Sequence, residues 1–406
     1  MRILIVSQYF WPENFKINTL SLELKNNGHE VFILTGLPNY PNGKISKNYS
    51  FWKNNNEIWN GIEIYRSKLI PRFSGNGINL VINYLSFAIF SSIKVLFSIN
   101  KKPDLIFVYE PSPITVGIPA IVAKRKFGGI PIFFWVQDLW PDSLKDAGAV
   151  KNRYILKSVD KLTRYIYKKS EIILVQSRAF TEYILKQGVP LHKIKYFPNP
   201  TESFYNVTKI TTEYSNLLPI GFNLIFAGNI GEAQSFETLI GAAYKLKQFN
   251  YPIYWNILGD GRAKEYLVKK VIQLNMKDNF IFKGSFKSEE MPLFFACADA
   301  LIVSLKKSDI FSLTIPAKVQ SYLACGKPII GSIDGEGAKI INESESGYVS
   351  PSEDIDKLVS NIIKLYELTE IERSQLGKNA RVYFEREFAM EILINKLEDI
   401  FKLKNE

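Results

Sequence analysis

The stretch that decides the fold of this 406-residue chain reads IPAKVQSYLACGKPII and runs from residue 315 to residue 330. Pro316 suits the first position of a helix, because the N–H that proline lacks would have no partner there. Gly326 suits the position just after a helix, and the following Ile329-Ile330 is typical of a strand. The sequence therefore predicts a short helix whose amide-rich start carries Lys318 and attracts anions, phosphate above all.

Short apolar runs and helical patterns alternate on both sides of this stretch. Runs such as Ile3–Val6, Leu105–Tyr109 and Ile132–Val136 lack strict alternation of polar and apolar residues, which predicts strands covered on both faces. The prolines of YFPNPTESF, at 196–204, mark a linker, and the alternation restarts after it. Alternating strands and helices form parallel sheets with helices on both faces.

The sequence thus predicts an α/β protein made of two Rossmann-like, doubly wound domains that face each other across a cleft. The expected boundaries are 1–198 for the first domain and 199–375 for the second. A helical segment at 376–406 would follow. Ligands of such sheets bind beyond the carboxyl ends of the strands, so the loops that follow the strands are where site residues are expected.

The net charge of +11 is distributed unevenly. Residues 1–200 hold 27 Lys and Arg against 13 Asp and Glu, a net of +14, and the remaining residues hold 24 against 27, a net of −3. A basic half suits nucleic acid, anionic lipid or a phosphorylated substrate, but no nucleic-acid recognition motif accompanies it. Cys297 and Cys325 lie in apolar helical contexts, which favours reduced thiols and a cytosolic compartment. No apolar run of 18 or more residues predicts a membrane span.

Glycines follow three consecutive strand-like runs of the second half. They occur in FAGNIG at 226–231, in LGDGR at 258–262 and in KGSF at 283–286. Glycine at a strand-to-helix turn lets the backbone approach a phosphate group closely. One such turn is common, but three of them together with the helix start at Lys318 predict a phosphate site.

The motifs of this half resemble the donor domain of family 4 glycosyltransferases of the GT-B fold. The matching pieces are Pro198-Asn199, FAGN, LGDGR, FKG, Ala298-Asp299, PAKVQSYLACGKP, ESGYVSPSED at 345–354 and GKNARVYFEREF at 377–388. More narrowly, FWPENF, QDLWPD and GNIGEAQ resemble bacterial N-acetyl-L-fucosamine transferases of O-antigen and capsule synthesis. The resemblance implies an enzyme that transfers a hexosyl group from a UDP-sugar with retention of anomeric configuration. Its C-terminal helix is expected to cross back to the first domain.

The resemblance also implies a set of donor-binding positions. They are Gly228, Asn229, Gly231, Gln234, Gly259, Gly261, Arg262, Phe286, Thr314, Pro316, Lys318 and Ser321.

Three of these positions depart from the family pattern. Asn229 and Gln234 stand where the family has an arginine and a lysine on the donor diphosphate, and Ser321 stands where it has a glutamate for the ribose. Each missing charge-assisted hydrogen bond is worth roughly 1.5–3 kcal/mol. Lys318, Arg262 and the helix amides would have to compensate, with Lys318 as the main candidate.

Acidic residues follow three predicted strands of the first half. They are Glu13 in WPEN, Glu110 in EPSP and Asp138 in QDLWPD. The family often has His-Asp at the last position, and with Gln137 in place of the histidine only Asp138 carries charge there. Each could be a cap or turn residue, or could act as a catalytic group on an acceptor hydroxyl.

The sequence offers no metal-ligand cluster, no Ser/His/Asp set and no DxD motif in a suitable loop, so we expect neither a cofactor nor a metal. The acceptor implied by the resemblance is a saccharide linked to undecaprenyl diphosphate. Such an enzyme would act as a peripheral protein on the cytoplasmic face of the membrane.

Two features of the basic half could serve membrane contact. Lys157, Lys161, Arg164 and Lys168 are spaced to share one helical face, and residues 78–93 carry no charge and many large apolar side chains. The first could be a solvated face and the second a core-facing helix. Alternatively, both belong to a surface that docks on anionic lipid through the N-terminal domain.

Two other functions remain open at this stage. A sugar-nucleotide epimerase of the same fold would consume a UDP-sugar without any lipid. A non-catalytic subunit of a polysaccharide assembly complex would account for the neutral residues Asn229, Gln234 and Ser321, and it would bind no UDP compound.

Overall fold

The computed structural model describes residues 1–53, 55–73, 77–146 and 152–403. The chain forms two compact units. One contains residues 1–198 together with the C-terminal residues from Leu393, and the other contains residues 199–392. Each unit is built on its own sheet of mainly parallel strands, so the predicted α/β fold with two Rossmann-like cores is confirmed.

The sheet of the first unit has eight strands in the order β3-β4-β2-β1-β5-β6-β7-β8. All neighbouring strands are parallel except the β3–β4 pair, which is antiparallel. Their bounds are β1 Arg2–Val6, β2 Glu30–Gly36, β3 Glu57–Trp59, β4 Ile62–Ser67, β5 Leu105–Glu110, β6 Ile132–Val136, β7 Ile172–Val175 and β8 Ile194–Tyr196.

The central strands β1, β5 and β6 are buried along nearly their whole length, as their unbroken apolar sequences predict. The helices of this unit are α1 Lys16–Asn26, α2 Gly77–Ser98, α3 Gly117–Lys126, α4 Asp142–Asp146, α5 Arg153–Lys169 and α6 Phe180–Lys186.

The sheet of the second unit has six parallel strands in the order β11-β10-β9-β12-β13-β14. Their bounds are β9 Phe222–Ala227, β10 Ile253–Leu258, β11 Phe280–Gly284, β12 Ala300–Ser304, β13 Ile329–Ser332 and β14 Gly347–Ser350. The helices are α7 Thr212–Ser215, α8 Phe236–Gln248, α9 Lys264–Gln273, α10 Met291–Ala296, α11 Asp309–Leu313, α12 Ala317–Ala324, α13 Gly335–Glu343, α14 Ile355–Glu367, α15 Glu370–Glu387 and α16 Met390–Lys402.

Residues 315–330 form the predicted helix and strand, with the helix start shifted by one residue. Pro316 is extended and precedes α12 rather than opening it, and the helix is followed by Gly326 with a φ of +63°. This left-handed conformation suits glycine, and an added Cβ would also come within 3.0 Å of Val207. Strand β13 starts three residues later, at Ile329.

The C-terminal segment divides between the units later than the predicted residue 376. Helix α15 stays in the second unit, where Arg381 donates a hydrogen bond to the carbonyl of Ala324 at 2.7 Å. In α16, Phe401 packs edge-on against Phe107 and Phe133 of the first unit, with ring centres 5.8 and 5.0 Å away. Residues 404–406 of the predicted segment lie outside the described residues.

Helix α2 is longer and more apolar than the sequence pattern suggested. Its 22 residues carry one charge, Lys94, and among the described residues it is the one helix long and apolar enough, by length and composition, to cross a membrane. About a third of it is buried inside the protein. The expectation that no segment reaches membrane-spanning length was therefore wrong.

Candidate functional site

In each sheet the winding direction reverses once, and the candidate residues Gly228 and Glu110 lie at the ends of strands beside that reversal. In the second unit the reversal lies between β9 and β12, and in the first unit between β1 and β5. Loops that leave neighbouring strands in opposite directions open a crevice at the carboxyl ends of the strands. Gly228 follows β9, and Glu110 ends β5.

Lys318 turns from the start of α12 toward the end of β9. Its Nζ donates a hydrogen bond to Oε1 of Gln234 and lies 3.8 Å from the centre of the Phe226 ring. The residue as a whole is only half-buried, but this inward position removes most of the water around the ammonium group. Because burial disfavours the charged form, the pKa of the amine falls to about 7.

The neutral residue at position 234 is what makes this contact possible. A lysine there, as the family pattern has, would place a second cation where Gln234 now offers an acceptor to Lys318. Within the described part of the chain, no carboxylate forms an ion pair with Lys318. The protonated amine has therefore lost water without gaining a counter-ion, so an anionic ligand would stabilise it.

The three glycine turns pack on one another beside Lys318. Gly228 N–H donates to the carbonyl of Leu258 at 2.8 Å, and Gly259 N–H donates to the carbonyl of Gly284 at 2.7 Å. A Cβ on Gly259 would collide with the carbonyl of Gly228, and one on Gly261 would collide with the backbone of Ile230. These two glycines are thus required by the contact of turn against turn, whether or not a phosphate is bound.

The other predicted donor residues lie around this cradle. Gly231 N-terminally flanks the short turn of Glu232–Gln234, while Asn229 and Arg262 are exposed. The Phe286 ring rests against Phe294, with centres 4.5 Å apart. The hydroxyls of Thr314 and Ser321 donate to backbone carbonyls of their own segments, those of Phe311 and Ala317, at 3.1 Å each.

A cavity of about 840 Å³ opens near these turns but does not contain Lys318. It lies between α8 and α9, with Gly231 and Arg262 among its lining residues. Cavity size therefore does not mark the anion site. The chemical environment of Lys318 does.

In the first unit the structure places Glu110 and Asp138 close together and away from solvent. Glu110 is 0 % exposed, and neither carboxyl oxygen has a hydrogen-bond partner among the described residues. Burial, and then the nearby Asp138, raise its pKa well above the ordinary range. The amides of Asp138 and Gln137 oppose this shift without forming a hydrogen bond to a carboxyl oxygen. Burial therefore favours the protonated, neutral form of Glu110.

Asp138 retains hydrogen bonds that support its charged form. The Ser143 hydroxyl donates to Oδ1, although burial still raises the pKa of the carboxyl. This contact also ties Asp138 to Ser143 in the first turn of α4. Of the two carboxyls, Asp138 is the one whose charged form is supported by a hydrogen bond, and it is therefore the better candidate to accept a proton.

Glu13 binds the backbone of a neighbouring loop, and a catalytic role for it stays a prediction. Its Oε1 accepts hydrogen bonds from the backbone N–H groups of Asn39 and Tyr40, at 2.7 and 2.6 Å. The carboxyl ties the loop after β1 to the loop after β2. Burial raises its pKa to about 7 even though the two amides favour the charged form.

Models of two glycosyltransferase domains match the chain. The model described as glycosyl transferases group 1 matches residues 221–383, and the glycosyl transferase 4-like domain matches residues 16–200. The chain belongs to the glycosyltransferases of the GT-B fold. The two matched segments correspond to the two units, so both candidate sites lie inside recognised glycosyltransferase domains.

Individual relatives of this glycosyltransferase are distant. WcaI of Escherichia coli (strain K12), whose name assigns it to colanic acid biosynthesis as a glycosyl transferase, is 25% identical over 80% of this chain and 82% of its own length. Alpha-galactosylglucosyldiacylglycerol synthase of Streptococcus pneumoniae is 26% identical over 41% of this chain and 46% of its own. The crystal structure of Anabaena HepE in complex with UDP superposes with a TM-score of 0.72 at 12% identity, covering 99% and 100% of the two chains.

The candidate site of the first unit also contains residues that no motif indicated. Tyr84 of α2 lies beside Trp140, with ring centres 6.1 Å apart, and the buried Tyr167 of α5 lies near Glu110 and Asp138. Burial raises the pKa of both phenols. Their helical neighbours made them look like ordinary core residues, and only the packing of α2 and α5 brings them to the carboxyls.

No group of three or more His, Cys, Asp or Glu side chains that could hold a metal ion occurs within residues 1–53, 55–73, 77–146 and 152–403. Metal independence of the glycosyltransferase stays a prediction, which a chelator can test.

Replacing Gly228 by alanine should weaken donor binding more than it harms folding. The residue has a φ of +137°, and a Cβ there would lie 2.6 Å from Cε of Lys318. A strained backbone position of this kind costs about 1–3 kcal/mol, and the flexible lysine would be displaced from the cradle. Calorimetric titration with UDP and a melting curve measure the two effects. Unchanged affinity would contradict the placement of Lys318 in the donor site.

Proposed function

We propose that this enzyme transfers a sugar, N-acetyl-L-fucosamine, from its UDP derivative to a lipid-linked saccharide during synthesis of a bacterial surface polysaccharide. The second unit binds the donor and the first unit binds the acceptor. The anomeric configuration is retained and no metal is needed. The acceptor is a saccharide on undecaprenyl diphosphate, at the cytoplasmic face of the membrane.

One observation carries the donor part of the proposal. The Lys318 ammonium group lies among the glycine turns at the reversal point of the second sheet, and Gln234 holds it there. A nucleoside diphosphate supplies the negative charge that this buried cation lacks. The fold neighbour HepE was crystallised with UDP, which supports a uridine nucleotide as the donor.

Two observations support the acceptor part. Asp138 follows β6, the strand next to β5 in the first sheet, and its carboxyl, unlike that of Glu110, accepts a side-chain hydrogen bond that supports the charged form. Among the relatives, WcaI is named for colanic acid biosynthesis and the S. pneumoniae synthase is named for a glycolipid product. Both names favour a saccharide acceptor attached to, or destined for, a surface polymer or lipid.

A melting-temperature assay with UDP, GDP and ADP tests the donor site. A ligand at about a hundred times its dissociation constant stabilises the folded state by about 2.7 kcal/mol. We expect UDP to raise the melting temperature most and EDTA to leave that increase unchanged. If none of the three nucleotides shifts the melting curve, the donor assignment fails and a non-catalytic subunit becomes the better interpretation.

A second assay separates transfer from epimerisation. The purified protein is incubated with UDP-N-acetyl-L-fucosamine, with and without a polyprenyl-diphosphate-linked saccharide, and the products are resolved by mass spectrometry and NMR. Transfer requires the acceptor and gives an α or β product whose configuration reports retention. Conversion of the UDP-sugar without acceptor would instead identify an epimerase.

A further inference from the structure

Helix α2 buries polar side chains together with the apolar Phe87, Ala88 and Val95, and exposes large apolar residues on its other side. Its polar residues Asn83, Ser86 and Ser91 are buried. Asn83 accepts a hydrogen bond from Gln8 at 2.7 Å and donates to the carbonyl of Ile70 at 2.6 Å. Ser86 accepts from the N–H of Ile70. These contacts fasten one face of the helix to the sheet of the first unit.

The opposite face of α2 is a continuous apolar stripe. Ile78 is 74% exposed at one end and Phe97 is 78% exposed at the other. The spacing of the exposed residues follows the helical repeat, so they share one side. The stripe consists of Ile78, Ile82, Leu85, Ile89, Ile93 and Phe97.

An aromatic and basic border accompanies the stripe. The ring of Phe51 packs edge-on against Phe90 of α2, with ring centres 5.8 Å apart. The neighbouring residue Trp52 is 85% exposed. The Lys68 ammonium lies 5.0 and 5.6 Å from the centres of the Phe51 and Trp52 rings. Lys94 is near enough to Lys68 that the like charge, in addition to burial, lowers the pKa of Lys94. No acidic residue occurs in α2.

These features favour a lipid surface over a membrane span or a contact between two copies of the chain. A membrane-spanning helix would have to break the buried hydrogen bonds of Asn83 and Ser86 and expose those groups to hydrocarbon. A symmetric contact with a second copy would place the same patch against itself and bring Lys68 and Lys94 toward their counterparts. Anionic headgroups instead neutralise both lysines, and tryptophan is favoured at the boundary between headgroups and acyl chains.

We propose that α2 lies in the plane of an anionic bilayer surface, with the apolar stripe among the acyl chains and with Trp52, Lys68 and Lys94 at the headgroups. The proposal rests on the proposed function only for the lipid-linked acceptor.

This proposal also changes the expected role of α5 in membrane binding. Lys157, Lys161 and Lys168 are exposed, and Arg164 bonds Asp160 at 2.9 Å, so this face adds charge attraction whereas α2 is the anchor.

Vesicle flotation without donor or acceptor tests the anchor. The full-length protein is mixed with vesicles of neutral phosphatidylcholine, or of phosphatidylcholine with phosphatidylglycerol. The wild type should bind both, and the anionic vesicles more strongly at low salt. Ile89→Glu/Ile93→Glu should reduce binding to both kinds at least tenfold, because it places charge within the stripe. Lys68→Gln/Lys94→Gln should remove only part of the preference for anionic vesicles.

The matched control is Ile371→Glu/Val382→Glu, which makes the same kind of change at two exposed residues of α15. It should bind vesicles like the wild type, and all variants should keep the wild-type melting temperature. Equal flotation of the wild type and the Ile89/Ile93 variant overturns the proposal. So does a wild-type dimer in sedimentation that the same variant converts to a monomer, because the stripe is then an interface between copies. Neither result affects UDP binding, which tests the proposed function separately.

Discussion

Asp138→Asn should lower the rate of sugar transfer by about 10²–10⁴-fold while UDP affinity stays close to that of the wild type. Asp138 follows β6, and it is the carboxyl of the pair with Glu110 that retains support for its charged form, through the Ser143 hydroxyl. Asparagine keeps the shape and can still accept that hydrogen bond, but it cannot take a proton from an acceptor hydroxyl. Transfer kinetics and calorimetric titration measure the two quantities separately.

Two further variants separate a catalytic role of Asp138 from a structural role of its contact with Ser143. Ser143→Ala removes the hydroxyl that bonds Asp138 but leaves the carboxyl, so it should reduce activity far less than Asp138→Asn. Glu110→Gln should keep more activity than Asp138→Asn, because burial favours the neutral form of Glu110, which glutamine resembles. If Asp138→Asn is fully active, Asp138 has only a structural role through its contact with Ser143.

The pH dependence of these carboxyls has a definite sign. Activity that needs ionised Asp138 should be lost as pH falls through a pKa above the usual aspartate value of 3.8. The raised pKa of Glu110 means that the folded state holds its proton more tightly than the unfolded state does. Its contribution to stability is therefore lost as pH rises above 4.5, its unfolded value, and Glu110→Gln should flatten that decline.

Lys318→Met should weaken UDP binding by roughly 1.5–3 kcal/mol, which is about one to two decades in the dissociation constant. Methionine keeps an apolar stem over the Phe226 ring but removes the charge that meets the diphosphate. The folded state should not lose stability, because an unpaired cation no longer has to be buried. Lys306→Met is the matched control, since Lys306 is an exposed lysine on the same edge of the sheet, 4.0 Å from Glu232.

The same substitution should change the pH dependence of stability. The folded amine has a pKa near 7 and the unfolded amine one of 10.5, so the unfolded state binds more protons between these values. Wild-type stability gains a contribution as pH rises from about 7 to 10.5, and Lys318→Met should lack it. Equal UDP affinity in the wild type and the Lys318 variant would remove the diphosphate role and leave the fold assignment intact.

The parts of this molecule that could be predicted from sequence are those fixed by local chemistry. The apolar runs of β5 and β6 and the glycine after α12 require specific backbone conformations, and the structure has them. The bond between Gln234 and Lys318 joins residues that are distant in sequence, and no local pattern indicates it. Likewise, the amides that bind the Glu13 carboxyl belong to another loop. From the sequence alone, the Glu13 carboxyl therefore could not be distinguished from that of Asp138 as a group available to an acceptor.

Helix α2 shows a second limit of sequence patterns. An apolar stretch with scattered serines and an asparagine predicts a helix, but periodicity does not say which side is covered. In this helix Asn83 and Ser91 face the protein and Ile89 faces outward, because the buried partners of the polar residues come from the loops and strands of the sheet. Only the packing of α2 in the folded protein distinguishes a core helix from a helix with an exposed apolar face.

The return of the chain to the first unit at Leu393 sets an order for folding during synthesis. Phe401 completes the packing of Phe107 and Phe133, and His29 bonds Glu398 at 3.0 Å, so the first unit depends on residues translated after the whole of the second. On the ribosome, residues 199–392 can therefore reach their final form while the earlier residues still wait for α16. The first unit is therefore synthesised first but completed last. Until α16 is added, its apolar core is incomplete, and this is the region that chaperones would have to protect.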